Sequence, residues 1–218
     1  MTSIAGSIRL AALAACASAG LLILPAPGFA AKTASLDPQD QAAVTEVANY
    51  LTQFRNIQGE FVQVSSKGNV SKGVFYLSKP GKMRFEYASP NPFIIVSDGT
   101  WVTIKNRAKD TADQYPLSQT PLRLVLDDDI DLLDEANVLD VQKSDGLVTL
   151  TIQDRKKTVP GHLILVYDET QKALQQWIVV DGKGRRTTVE LQNLVSGVKA
   201  DPALFTIEVK RKARIKNN

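Results

Sequence analysis

The stretch FYLSKPGKMRFEYASP, residues 75–90, decides the fold class, because its large side chains recur at every second position. The pattern runs up to Pro80 and begins again after Gly81. In a β-strand, successive side chains point to opposite faces, so residues two positions apart share one face. We therefore predict two neighbouring strands that share one face, which is formed by Phe75, Leu77, Lys79, Met83, Phe85 and Tyr87.

Short strands are also predicted on either side of this stretch. The alternation starts at Ile57 and includes Phe61, and Asp-Gly pairs later in the chain are signals for hairpin turns. The predicted later strands are residues 93–96, 101–104, 138–142, 147–153, 162–167, 174–180 and 187–194. Many short strands separated by turns indicate one large antiparallel sheet, a sandwich or a barrel.

One amphipathic helix is predicted before the strands. Asp37 is a good N-cap, and Pro38 is tolerated at the first helical position. The apolar residues recur at helical spacing and form one stripe, which must lie against another element: Val44, Val47, Ala48, Leu51 and Phe54.

Two irregular segments interrupt the strand pattern. A short helical turn capped by Thr120 is predicted just before an acidic run, residues 127–131. A second turn, residues 201–205, is predicted to precede a last strand. We divide the chain into a leader (1–30), a single domain (31–209) and a basic tail (210–218).

The first thirty residues have the order of a secretory signal peptide. Arg9 is followed by an apolar run at residues 10–24, and small residues precede a cleavage site after Ala30. A competing interpretation is a lipobox at residues 13–16, which would make Cys16 a lipidated first residue. Cleavage after Ala30 would leave a chain without cysteine, which suits an oxidising compartment.

Composition excludes several kinds of chemistry. A single cysteine cannot form an internal disulfide, and one Cys with one His, His162, gives no cluster for zinc. The acidic run lacks the glycine and the spacing of a calcium loop, and a formal charge of +3 gives no strong nucleic-acid footprint. We expect no catalytic residue, no metal and no cofactor. A secreted hydrolase that uses Asp98 or Asp168 is a remote alternative.

Three linked segments point to a family. An amphipathic helix is followed by Gly59-Glu60-Phe61-Val62-Gln63, then by residues 75–90, and then by Ile94-Ile95-Val96-Ser97-Asp98-Gly99. This order resembles the family of the periplasmic outer-membrane lipoprotein carrier protein LolA, over about residues 38–207. Periodicity alone favours a packed core for the apolar face; the resemblance adds the possibility of a cavity.

The resemblance implies an open half-barrel of antiparallel strands that is covered by short α-helices and encloses an acyl-chain cavity. It implies a non-enzymatic periplasmic carrier that takes lipoproteins from an inner-membrane ABC transporter to an outer-membrane receptor, and we expect a monomer. An alternative is a related protein that binds or senses another amphiphile. By matched position, the cavity and lid residues are Leu51, Phe75, Leu77, Lys79, Met83, Phe85, Tyr87, Ile95, Leu122 and Val125.

Two positions depart from the family pattern. Lys79 stands where the family often has an arginine that bonds to the lid backbone, and lysine keeps the charge but loses the planar guanidinium. We therefore treat Lys79 as the predicted latch of the lid. The chain also ends with residues 205–209 and the basic tail instead of a strand that contains proline.

Overall fold

The computed structural model describes residues 36–129, 131–155 and 160–208. The predicted signal peptide, Cys16 and the basic tail lie outside the described residues. Within them, eleven strands form a single sheet. The strands are β1 (Asn56–Val64), β2 (Val70–Ser78), β3 (Lys82–Tyr87), β4 (Phe93–Asp98), β5 (Trp101–Asn106), β6 (Thr111–Pro116), β7 (Ala136–Ser144), β8 (Leu147–Asp154), β9 (Gly161–Asp168), β10 (Ala173–Asp181) and β11 (Arg186–Ser196).

The sheet is antiparallel and unclosed. Its order is β6-β5-β4-β3-β2-β1-β11-β10-β9-β8-β7, so the first and second halves of the chain meet where β1 pairs with β11. The strands β6 and β7 form the two edges. The predicted open antiparallel sheet covered by short helices is confirmed.

Helix α1 (Pro38–Gln53) begins as the sequence predicts. The side chain of Asp37 accepts hydrogen bonds from the backbone N–H groups of Gln39 and Asp40, both at 2.8 Å. The buried stripe of α1 joins the largest apolar cluster of the described residues, together with one face of the sheet. We call this the inner face. Within the described residues, no helix is long and apolar enough to cross a bilayer.

The segment between β6 and β7 contains a 3₁₀ turn (Leu117–Gln119) and two short helices, α2 (Arg123–Leu126) and α3 (Leu132–Glu135). The predicted cap of the helical turn is wrong, because Leu122 occupies the N-cap of α2. The Thr120 hydroxyl donates instead to the carbonyl of Leu117, at 2.9 Å. Part of the acidic run is structural, since the Asp131 side chain caps α3.

The predicted strand after residues 201–205 is also wrong over its described part. A 3₁₀ turn (Pro202–Phe205) packs against β3 and β4, and the residues from Thr206 to Glu208 are irregular. Phe205 is buried, and the outward-facing Arg84 donates from Nη1 to the Leu204 carbonyl at 2.9 Å. This end of the domain therefore covers the outer face of the sheet.

Candidate binding site beneath the lid

Aromatic rings line the inner face from β1 to β3 and across to β10. The Phe61 ring meets Phe85 and Tyr87 edge to face, with centroids 4.8 and 5.1 Å apart. Phe85 also stacks on Phe75 at 5.5 Å and meets Trp177 edge to face at 5.7 Å. Large apolar rings in contact form a continuous surface that water hydrates poorly.

Two glycines lie beneath these rings. Gly59 is directly opposite Phe75 in the β1–β2 pair, and Gly73 is directly opposite Phe61. A Cβ atom at Gly73 would lie 2.7 Å from Cε1 of Phe61, and one at Gly59 would lie 3.1 Å from Cε1 of Phe75. The missing side chains therefore leave the space into which each ring settles against the backbone of the next strand.

The structure brings the sequence-predicted site residues to this face and to the elements that cover it. All except Lys79 belong to the main apolar cluster or pack against it, and Ile95 and Leu122 are its half-buried members. These side chains are packed against one another. A cavity of 770 Å³ is lined about equally by turn residues around Gly81 and Gly99 and by residues of the segment 117–127, among them Leu117 and Arg123. An acyl-chain role for the predicted residues therefore stays a prediction.

Lys79 joins α1, the sheet and the segment around α2, which we call the lid (residues 117–129). Its Nζ donates to the carbonyl of Leu51 at 2.5 Å and to the carbonyl of Asp127 at 2.7 Å. It also lies 4.6 Å from the centroid of the Phe54 ring. Burial lowers the pKa of Lys79 from its usual 10.5 to about 8, and the nearby carboxylates of Asp128 and Asp127 only partly offset this effect.

Two further contacts fix the lid on the same side. The backbone N–H of Gly81 donates to the carbonyl of Leu126 at 2.8 Å. Arg55, just after α1, forms an ion pair with Asp128. The end of α2 is thus held by two contacts to the β2–β3 turn, those of Lys79 and Gly81, and the residues after it by one contact to Arg55; the Lys79 contact is the most buried of the three.

Arg123 holds the lid on the opposite side. Its Nε donates to Asp154 at the end of β8 at 2.7 Å, and its Nη1 donates to Glu135 of α3 at 3.0 Å. The hydrogen bond with Asp154 contributes most to raising the pKa of Arg123 above its usual value. The Arg123 side chain is 13% exposed and that of Asp154 is 2% exposed, so this is a buried ion pair.

The carboxylates of the hydrolase alternative are used in turns. Asp98 accepts from the backbone N–H groups of Thr100 and Trp101, at 2.7 and 2.8 Å. Asp168 accepts from two backbone N–H groups after β9, and from the Gln175 amide at 2.5 Å. These contacts account for both aspartates as structural residues of their turns.

Comparison with known proteins adds a family to this geometry. The model of the outer membrane lipoprotein carrier protein LolA matches residues 52–208. The chain belongs to the LolA family. The match contains every strand of the sheet and the whole lid, so the family assignment covers both the rings of the inner face and the contacts that hold the lid.

Two curated LolA-family relatives are named outer-membrane lipoprotein carrier protein. The relative from Methylococcus capsulatus is 28% identical over 85% of this chain and 90% of its own length. The relative from Xanthomonas oryzae pv. oryzae is 29% identical over 74% of this chain and 80% of its own. A solved LolA superfamily protein from Nitrosomonas europaea gives a TM-score of 0.46 at 7% identity, covering 77% of this chain and 97% of that one.

Sequence reasoning gave no site role to two side-chain groups of this candidate site. The first is Arg123 with its acidic partners. The second is Gln63, whose Oε1 accepts a hydrogen bond from the Tyr87 hydroxyl at 2.7 Å. Burial is the main cause that raises the pKa of Tyr87 to about 12, so its hydroxyl stays protonated near neutral pH. The partners in each group are far apart in the chain, and no local pattern links them.

Proposed function

We propose that this protein is a non-enzymatic periplasmic carrier that shields the acyl chains of lipoproteins on the inner face of its sheet. It would be exported after cleavage of residues 1–30, act as a monomer, receive cargo from an inner-membrane ABC transporter and deliver it to an outer-membrane receptor. The acyl chains would contact Leu51, Phe75, Leu77, Met83, Phe85, Tyr87, Ile95, Leu122 and Val125, with Lys79 as the latch.

The observation that carries this proposal is the continuous layer of rings beneath a short lid. A lipid anchor contains many methylene groups, and each is stabilised by about 0.8 kcal/mol when it leaves water. A carrier must therefore offer apolar surface while making few directional bonds, because it must also release the anchor. Rings that meet edge to face, covered by a lid of one helical turn, satisfy both needs.

Loading requires the inner face to open. Phe75 and Leu51 are fully buried, and Met83 is only 2% exposed, so acyl chains can enter only if the lid or α1 moves and the rings separate. The contacts of Lys79 and Arg123 restrain this movement. We call the form in which these contacts are intact the closed form, and we interpret it as the carrier without cargo.

The carrier function is tested by lipoprotein release. The exported chain is added to spheroplasts, released lipoproteins are quantified, and native mass spectrometry detects lipid or lipoprotein bound to the chain. We expect release by the wild-type chain and several-fold less with Ile95→Asn, because an amide is costly in hydrocarbon. The matched control is Val74→Asn on the outer face, where Val74 is 39% exposed.

The outcomes separate the candidate functions. Circular dichroism first shows that both variants are folded. If the folded wild-type chain releases no lipoprotein and carries no lipid, the carrier proposal is wrong. Turnover of an ester or a glycoside that Asp98→Asn abolishes would instead support the hydrolase.

A further inference from the structure

A hydrogen-bonded polar pair lies on the inner face, at the end remote from the lid. Gln63 and Tyr87 are at the ends of β1 and β3, whereas the lid is held at the other end of the β2–β3 hairpin, by Lys79 and Gly81. Tyr87 is 5% exposed and its ring packs edge to face on Phe61. Polar groups are thus placed at one end of a surface that is otherwise made of rings and aliphatic chains.

The Gln63 amide has hydrogen-bonding capacity to spare. Its Oε1 accepts from Tyr87, while its Nε2 has no hydrogen-bond partner among the described residues. Among all the described residues, the only fully buried side-chain nitrogen or oxygen without a partner is Nη2 of Arg123. The unpartnered Nε2 of Gln63 is therefore not fully buried, and a ligand can reach it.

A groove of 560 Å³ lies next to this pair. It is lined by residues 70–72 and 88–93, so it includes Ser71, directly opposite Gln63 in the β1–β2 pair, and the residue that follows Tyr87. The Asn91 amide donates to the Ser71 hydroxyl at 3.0 Å. Phe93, on the inner side of β4, is 39% exposed at the groove. A ligand on the inner face can therefore continue outward here.

We propose that Gln63 and Tyr87 recognise the carbonyl groups that join acyl chains to an acylated peptide. The cargo would then lie with its hydrocarbon toward the lid, its ester or amide junction at this pair, and its peptide leaving by the groove. The chemistry matches, because Gln63 Nε2 is a free donor, the Tyr87 hydroxyl holds the Gln63 amide in place by donating to its Oε1, and a carbonyl buried among rings needs a donor. The inference rests on the proposed carrier function and adds an orientation and a ligand class to it.

The test compares two synthetic lipopeptides with chains of equal length. One carries its two chains as glycerol esters, and the other carries them as ethers, which lack the carbonyl groups. Fluorescence titration gives the affinity of the exported chain for each. We expect the wild-type chain to bind the ester about fivefold more tightly than the ether, as for one net hydrogen bond.

Variants assign this preference to the pair. In Gln63→Leu and in Tyr87→Phe, the ester should bind no more tightly than the ether. The matched controls are Gln58→Leu and Tyr76→Phe, a directly opposed pair on the outer face of β1 and β2, which should keep the preference. A misfolded variant would lose the ether as well, so the ratio of affinities separates recognition from stability.

Two results would overturn the inference. One is equal affinity of the wild-type chain for ester and ether, and the other is an unchanged ester preference in both inner-face variants. Failure of the wild-type chain to bind either lipopeptide would contradict the carrier proposal itself.

Discussion

Single glycines decide how the rings of the inner face lie. The Gly73 backbone is so close to β3 that an added Cβ would be 2.1 Å from the Glu86 carbonyl oxygen, as well as close to Phe61. Real Cβ atoms do not approach that closely, and a backbone oxygen within a strand pair cannot move aside cheaply. The sequence pattern Gly59-x-Phe61 thus has a physical reason. Phe75 lies opposite Gly59 and Phe61 lies opposite Gly73, so each ring has a residue without a side chain as its cross-strand neighbour.

Gly73→Ala tests this packing. We expect it to lower the free energy of unfolding by about 3 kcal/mol, because the new methyl group must displace both a strand and a ring. Urea unfolding followed by fluorescence measures the change.

Gly68→Ala is the control, since Gly68 has φ +78° but nothing within 4 Å of an added Cβ. It should cost only about 1 kcal/mol, the price of a left-handed conformation. A loss at Gly73 no larger than the loss at Gly68 would show that the rings do not depend on the missing side chain.

At the scale of elements, the lid depends on tertiary contacts. Helix α2 has four residues, and an isolated helix of one turn is unstable in water because nucleation is unfavourable. Its position is therefore set by Lys79 and Gly81 on one side and by Arg123 on the other. A lid held at two sides can be released by weakening either.

Arg123→Met tests the second side. We expect a loss of about 3 kcal/mol in the free energy of unfolding, because the variant loses a buried ion pair with Asp154 and the hydrogen bond to Glu135. The control is Arg185→Met, which removes the ion pair with Asp181. The Arg185 side chain is 64% exposed, so this variant should leave the free energy of unfolding nearly unchanged.

A double-mutant cycle completes the test. Combining Arg123→Met with Asp154→Asn should cost less than the two separate losses added together, because both remove the same interaction. Strict additivity would mean that Arg123 stabilises the lid by some other contact.

The parts of the fold that the sequence predicts are those with strong periodicity. Helix α1 and the strands around Phe75 and Phe85 bury one face, so hydrophobicity repeats along the chain at the period of the structure. Strand β6 was not predicted, because it is an edge strand in which every residue is exposed or half-buried. Without a buried face, a strand leaves no alternation to detect.

The parts that the sequence does not predict depend on contacts between distant residues. Arg123 and Asp154 are 31 positions apart, and Gln63 and Tyr87 are 24 apart. The last predicted strand fails for a related reason: residues 205–208 look extended, but Phe205 has a place on the outer face that competes with strand pairing. Only the folded sheet determines which of these interactions is available.

At the scale of the whole molecule, the protein fills its own inner face, and in the proposed carrier this would provide a built-in means of release. Cargo must replace contacts between rings and displace the lid, so the stability of the closed form is subtracted from the binding energy. Weakening closure should therefore tighten cargo binding and slow release. The Lys79 contacts are suited to set this balance, because they join α1 and the lid at a single atom.

Lys79→Met should shift this balance toward the open form. The closed form would lose both hydrogen bonds of Nζ, and we expect the acylated peptide to bind about fivefold more tightly at neutral pH and to dissociate more slowly. Stopped-flow displacement of a fluorescent diacyl lipopeptide measures the rate. Lys82→Met, a neighbouring lysine on the outward-facing side of β3, is the control and should leave the rate unchanged.

The dependence on pH distinguishes a latch from a merely structural lysine. The pKa of Lys79 is about 8 in the closed form, whereas a solvated lysine has a pKa near 10.5. Between these two pH values the open form holds a proton on Lys79 that the closed form has lost, so closing releases a proton. Raising the pH through this window therefore favours the closed form. Wild-type dissociation should become faster from about pH 7 to about pH 9, and Lys79→Met should lose this acceleration. An equal acceleration in the variant would mean that Lys79 does not couple its proton to the lid.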